Sequence, residues 1–204
     1  MRSSFRRVLQ SLGVCLMLGV PAAAAQAAGQ ASQLPYVAAD VHFMTGMIGH
    51  HAQAVLIAGW APTHGASPSI VTLTERIVVG QQDEIALMER WLKTRGQPVP
   101  APATAHADMP GMDHSAQMPG MLSPAQLDSL DQARGPEFDR LFLTYMMQHH
   151  RGAIVMVDEL FASQGAGQDE GTFRLASDIY ADQTTEIRRM EKMLAALPPT
   201  GPSP

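Results

Sequence analysis

The sequence predicts an all-α fold, a four-helix bundle built from two repeated helical hairpins. Three observations carry this reading. The first is an internal duplication. The stretch DVHFMTGMIGHHAQAVLIA from Asp40 returns as DRLFLTYMMQHHRGAIVMV from Asp139, so that His50 and His51 meet His149 and His150. A second block repeats Gln81, Glu84, Ile85, Met88, Glu89 and Leu92 as Gln183, Glu186, Ile187, Met190, Glu191 and Leu194. The second observation is periodicity: Ile77, Ile85, Met88 and Leu92 fall on one helical face at three- and four-residue steps or their multiples. The third is punctuation, with helix start and stop signals at the block ends and no segment that reads well as a strand.

Each element follows from those signals. The first hairpin spans residues 40–95. Its first helix runs roughly from Asp40 to Gly59, and its second opens at Ser67-Pro68, an N-cap with proline at the first helical position. Gly96 followed by Pro98 stops it. Residues 96–122, rich in Pro, Ala, Gly and Met, read as a mobile linker. Ser123-Pro124 then starts a short connecting helix that stops at Gly135-Pro136. The second hairpin follows, with helices from about Glu137 to Phe161 and Thr172 to Leu197, so connecting helix and hairpin together cover 123–197. Residues 198–204 read as a disordered tail. Two αα-hairpins, each with one apolar face, bury that face best against each other.

The chain begins with an address. Arg2, Arg6 and Arg7 precede an apolar run from Val8 to Val20, and Ala25-Gln26-Ala27 offers a cleavage site. Residues 1–27 therefore read as a signal peptide, too short in its apolar part for a membrane span, and residues 28–39 as a disordered lead-in. A periplasmic or secreted location follows, with no membrane insertion after cleavage. Cys15, the one cysteine, lies inside the leader, so no disulfide staples the fold. The whole chain carries a formal charge of −5, and losing three leader arginines makes the remainder more acidic. Such a chain is not a nucleic-acid binder.

Histidine and methionine carry the chemistry. All eight histidines, and every methionine but Met1 and Met17, lie beyond the leader. Met47 stands three residues before His50 and four before His51, which crowds them onto one helix surface. Met146, Met147, His149 and His150 repeat the arrangement, with Met44 one turn before the first cluster and Met156 just past the second. If these helices face each other, up to four imidazoles and several thioethers converge near the bundle axis, where helical bundles build metal sites. Imidazole suits copper, and thioether is soft and selects Cu(I). The expected ligand is therefore copper: Cu(I) first, with Cu(II) and Ag(I) as further candidates. Glu84 and Glu186 are placed to orient ring N–H groups, whereas Met88 and Met190 belong to the apolar stripe. The linker adds His106, Met109, Met112, His114, Met118 and Met121 in the run HADMPGMDHSAQMPGM, a hydrophilic setting in which a core filler has no reason to appear. It reads as a scavenging arm.

Two other readings stand beside copper storage, buffering or resistance. One is a metal-dependent oxidase using Glu84 and Glu186 with the histidines. The other is an interaction module of the cell envelope whose histidines sense pH. There is no Gly-rich phosphate loop, no H-E-x-x-H and no cysteine nucleophile, so no catalytic residue is assigned. Metal ions are the expected partners, and a homo-oligomer or a copper-delivery protein is left open.

The paired blocks FMTGMIGHHAQAV with QQDEIALMERWL, and FLTYMMQHHRGAIVM with QTTEIRRMEKML, resemble the domain-of-unknown-function 305 family over about Asp40 to Leu197. That resemblance implies a ferritin-like four-helix bundle and, for exported members, copper binding and copper resistance. It points to Met44, Met47, His50, His51, Met146, Met147, His149, His150 and Met156. Leu143 stands where the first copy has Met44, so the two halves need not bind metal equally.

Overall fold

Helix punctuation sets the architecture. The computed structural model describes residues 36–100 and 118–198, which fall within one unit, Leu34–Pro204. The segment expected to be a signal peptide, most of the expected lead-in, the residues beyond 198, and His106, Met109, Met112 and His114 lie outside the described residues. Among the described residues five helices follow in order: α1 Ala38–Gly59, α2 Pro68–Thr94, α3 Pro124–Gln132, α4 Pro136–Ala162 and α5 Glu170–Ala196. Among the described residues there is no strand. The fold is an all-α, ferritin-like four-helix bundle, with α3 as a short connector.

Caps fix the helix ends. Pro68, Pro124 and Pro136 each open a helix, where a missing N–H costs nothing. Ser123 accepts the Gln126 N–H and the Gln126 side chain answers it, a reciprocal capping box. Gly96 takes φ +65° and Gln97 N–H reaches back to Leu92 O at 2.9 Å, ending α2. The last helix starts at Glu170, earlier than its apolar pattern suggests, because the Asp169 carboxylate caps it by accepting Thr172 N–H at 3.0 Å.

The hairpins α1–α2 and α4–α5 pack through α1 against α4. The C-terminal half of α1 (Ala54, Ile57, Ala58) shares a core cluster with the N-terminal half of α4 (Phe138, Phe142, Met146). The opposite halves share another, in which Phe43, Met44 and Met47 meet Met156, Val157 and Leu160. The two central helices are therefore antiparallel, and the histidine pairs lie between two apolar layers. Buried Met88 and Met190 belong to these layers. A matched clasp reinforces the pseudo-symmetry. Asp40 at the start of α1 accepts the N–H of Gly167 in the second hairpin's loop, and Asp139 at the start of α4 accepts the N–H of Ser67 in the first hairpin's loop.

The linker's end departs from the mobile reading. Residues 118–122 are strapped onto the bundle. Gln53 donates to Leu122 O at 3.2 Å and accepts Leu122 N–H at 2.8 Å, and Leu122 is buried. Gly120, at φ +77°, crosses α4 at Gly152 so closely that a Cβ on Gly152 would lie 2.0 Å from Pro119 O. Only glycine permits that approach of backbone to backbone.

Candidate metal centre

His50, His51, His149 and His150 are all fully buried. Successive residues on a helix point about 100° apart, and the pairs divide accordingly. His50 and His149 turn towards each other, with ring centroids 3.8 Å apart. His51 and His150 turn towards α2 and α5, where Glu84 Oε2 and Glu186 Oε2 meet their Nε2 atoms at 2.7 and 2.6 Å. Within each pair the centroids are 6.4 and 6.3 Å apart.

Every Nε2 faces an oxygen. His50 Nε2 donates to Pro119 O at 3.0 Å, and His149 Nε2 donates to the backbone carbonyl of His50 at 2.9 Å. A carbonyl only accepts, as does an ionised carboxylate, so Nε2 carries the proton in a neutral ring and Nδ1 is left with its lone pair. None of the four Nδ1 atoms has a hydrogen-bond partner among the described residues, and all are buried. A buried acceptor left unpaired costs about 1–3 kcal/mol. Orphaned lone pairs on rings oriented by an oxygen behind them are what metal-binding histidines present.

Burial also favours the neutral form of three of these rings, His50, His149 and His150. It pushes His50 down to about 3, helped by the charge that His51 would carry. It holds His149 well below the usual imidazole range, again with help from the neighbouring histidines. His150 is lowered by burial despite the opposing pull of Glu186. The pH-sensing reading requires rings that titrate near neutrality in the folded protein, and these three do not.

A stability prediction follows. Below the unfolded imidazole value of 6.5 the unfolded chain takes up protons that the folded chain refuses. The contribution of these rings is therefore complete above about pH 6.5 and falls as the pH drops from there towards 3. Each ring adds a slope of up to about 1.4 kcal/mol per pH unit in that window. Denaturant titrations of the metal-free protein at pH 7.5 and 5.5 should show the lower stability at 5.5, and His50→Leu should reduce the difference.

Most of the predicted thioethers on the bundle are buried. Met44, Met47 and Met146 are fully buried, and Met147 and Met156 nearly so. Met118, from the strap, packs beside Met156 over α1. A side chain at Gly46 would meet Met156 Cε at 3.4 Å and Met118 Sδ at 3.8 Å. Met121 is half-buried in the same strap. The four imidazoles lie near one another between α1 and α4, with only His50 and His149 in direct ring contact. Among the described residues, no three His, Cys, Asp or Glu side chains come close enough together to hold a metal ion. The 100° step sends one ring of each pair inward and the other to a glutamate. Glu84 and Glu186 each give one carboxylate oxygen to a ring.

The sequence reading did not find the groups that hold the strap. Gln148 donates weakly to Gly120 O at 3.4 Å and accepts from Gln126 at 2.9 Å, while Gln53 grips Leu122. The signal was available in the duplication. Gln53 stands opposite Gly152 in the repeat, and Gly49 opposite Gln148. The copies differ where the strap crosses.

The family profile described as "Domain of unknown function (DUF305)" matches residues 40–194. The chain belongs to the DUF305 family. A DUF305 fragment from Deinococcus radiodurans is 29% identical with a TM-score of 0.67, over 80% of this chain and 99% of that one. A DUF305 protein from Streptomyces coelicolor is 27% identical with a TM-score of 0.62, over 77% and 91%. CopM in its Cu(I)-bound form is 27% identical with a TM-score of 0.57, over 76% and 95%, and CopM has also been solved in Cu(II)-bound, Ag-bound and apo forms. No curated protein matches by sequence. This DUF305 chain thus shares its fold, and over a quarter of its aligned residues, with a protein solved in copper-bound and silver-bound forms.

Proposed function

We propose that the chain is an exported copper-binding protein that stores or buffers Cu(I), and accepts Cu(II) or Ag(I), at mixed His/Met sites. The observation that carries this reading is the set of four buried Nδ1 lone pairs without partners, each on a ring whose Nε2 is already tied to an oxygen. The residues that would hold the ion are His50, His51, His149 and His150, with thioethers from Met44, Met47, Met146, Met147, Met156, Met118 and Met121. Soft thioethers favour Cu(I), and imidazole accepts either oxidation state. Copper is cargo here, and coordination is the whole of the chemistry. His106, Met109, Met112 and His114 would form a weaker capturing arm that feeds the bundle. Export is supported by the basic and apolar leader. Among the described residues no helix is long and apolar enough to cross a membrane.

The test is a Cu(I) competition titration against a chromogenic chelator under reducing, anaerobic conditions. The full chain should hold at least one Cu(I) tightly. The paired replacements H50A/H149A and H51A/H150A should each weaken that binding by at least about tenfold, the loss of roughly 1.4 kcal/mol. Retention of wild-type affinity by both variants would overturn the histidine sites of the bundle.

A further inference from the structure

A groove of about 350 Å³ runs between α2 and α5, on the side of the bundle where the two outer helices face each other. Its walls carry Asp83, Glu84, Asp178, Asp182 and Glu186, and no lysine, arginine or histidine lines it. Five carboxylates with no cation among them make a strongly negative concavity. The repulsion is felt within the site. Asp182 holds its proton above the usual carboxylate range, through partial burial and the charges of Glu84, Glu186 and Asp178.

A second observation points to a ligand. Gln81 and Gln183 also line this groove, and they are only 3% and 2% exposed. Gln81 Oε1, Gln81 Nε2 and Gln183 Oε1 have no hydrogen-bond partner. Buried amides normally find partners, and the unpartnered Gln81 amide and Gln183 Oε1, at pseudo-symmetric places in an acidic groove, are set for something that enters it. Carboxylate and amide oxygens are the donors that hard divalent cations prefer, often with water between. At about 30 Å³ per water the groove has room for an ion with six waters, roughly 180 Å³.

We propose that the α2–α5 groove is a binding site for a hydrated divalent cation, held mainly through its water shell by Asp178, Asp182, Glu84 and Glu186, with Gln81 and Gln183 as amide partners. Outer-sphere capture agrees with the absence, among the described residues, of three carboxylate or imidazole groups close enough for direct chelation. The site differs in chemistry from the His/Met centre: it is oxygen-only and hard where the other is soft. It also adjoins that centre, because Glu84 and Glu186 line the groove while each gives its Oε2 to a buried ring. A cation here would bias the carboxylates that orient His51 and His150. The proposal stands on the groove and does not require copper at the histidines.

The test uses Mn(II) as the probe, followed by electron paramagnetic resonance on the metal-free full chain at physiological ionic strength. Saturable binding of one Mn(II) is expected below about 1 mM, the range of weak extracellular oxygen-donor sites. D178N/D182N should weaken it at least about tenfold, because removing two of the groove's charges removes much of the field. Q81L should weaken it too, while Cu(I) affinity in D178N/D182N stays at the wild-type value. Absence of saturable binding below 1 mM overturns the proposal, as does equal Mn(II) affinity in wild type and D178N/D182N. A loss of Cu(I) binding in H50A/H149A with Mn(II) binding intact supports it, and the same variant separates failure of the copper reading from failure of this one.

Discussion

Saturating Cu(I) should raise the melting temperature of the full chain by roughly 5–10 °C. An ion that binds the folded state alone stabilises it by about 2.7 kcal/mol at a hundredfold excess over its dissociation constant. A domain of this size gains about 2–4 °C per kcal/mol. Here the gain has a structural source. Four fully buried Nδ1 atoms lack partners, and a bound ion satisfies those it reaches while leaving each Nε2 bond in place. The shift should shrink sharply in H50A/H149A, scanned calorimetrically with and without Cu(I). Zn(II), which gains little from thioethers, should produce a smaller shift.

Replacing Gly152 with alanine should destabilise the protein by about 2–4 kcal/mol, against the ordinary sign of such a change. Within a helix, alanine is favoured over glycine by up to about 1 kcal/mol. At Gly152 the new methyl would sit 2.0 Å from Pro119 O, 2.4 Å from Pro119 C and 2.6 Å from Gly120 Cα. All three are backbone atoms and cannot turn aside, so the strap must lift. That overpacking costs about 1–3 kcal/mol, and the hydrogen bonds from Gln53 and His50 to the strap add about 1 kcal/mol each when lost. Gly80→Ala is the control, because a Cβ there meets nothing within 4 Å. Urea titrations should find G80A neutral or stabilised and G152A weakened, with new proteolytic cleavage near residues 118–122. A G152A protein as stable as wild type would mean that the strap does not dock as described.

The duplication made the fold readable. Repeated blocks of one length, proline at helix starts and glycine at the end of α2 are local signals, and local signals fix helices. The pairing of the hairpins follows because each has one apolar face to bury. Burial of Met88 and Met190 was legible for the same reason, since both lie on the α2 and α5 stripes. What the copies share pointed to the histidines and to the glutamates behind them. What the copies do not share was harder to interpret. Leu143, in place of the Met44 counterpart, is a buried core residue beside Phe142. Gly152 and Gln53 make sense only once a coil segment is laid across the bundle, a tertiary contact without periodicity. The splitting of each histidine pair follows from helix geometry, but which ring faces inward depends on the rotation of α1 against α4.

The central claim is that copper binds the buried Nδ1 atoms, and nitrogen-15 spectroscopy of the imidazole rings tests it most directly. Cu(I) and Ag(I) are both diamagnetic d10 ions, so the rings stay visible through a titration. In the metal-free protein His50, His51, His149 and His150 should all appear as the tautomer protonated at Nε2. On adding Cu(I), Nδ1 resonances of these residues should move while the Nε2 protons stay in place. Copper binding with all four pairs of ring resonances unchanged would contradict the account and place the ion on ligands other than these histidines.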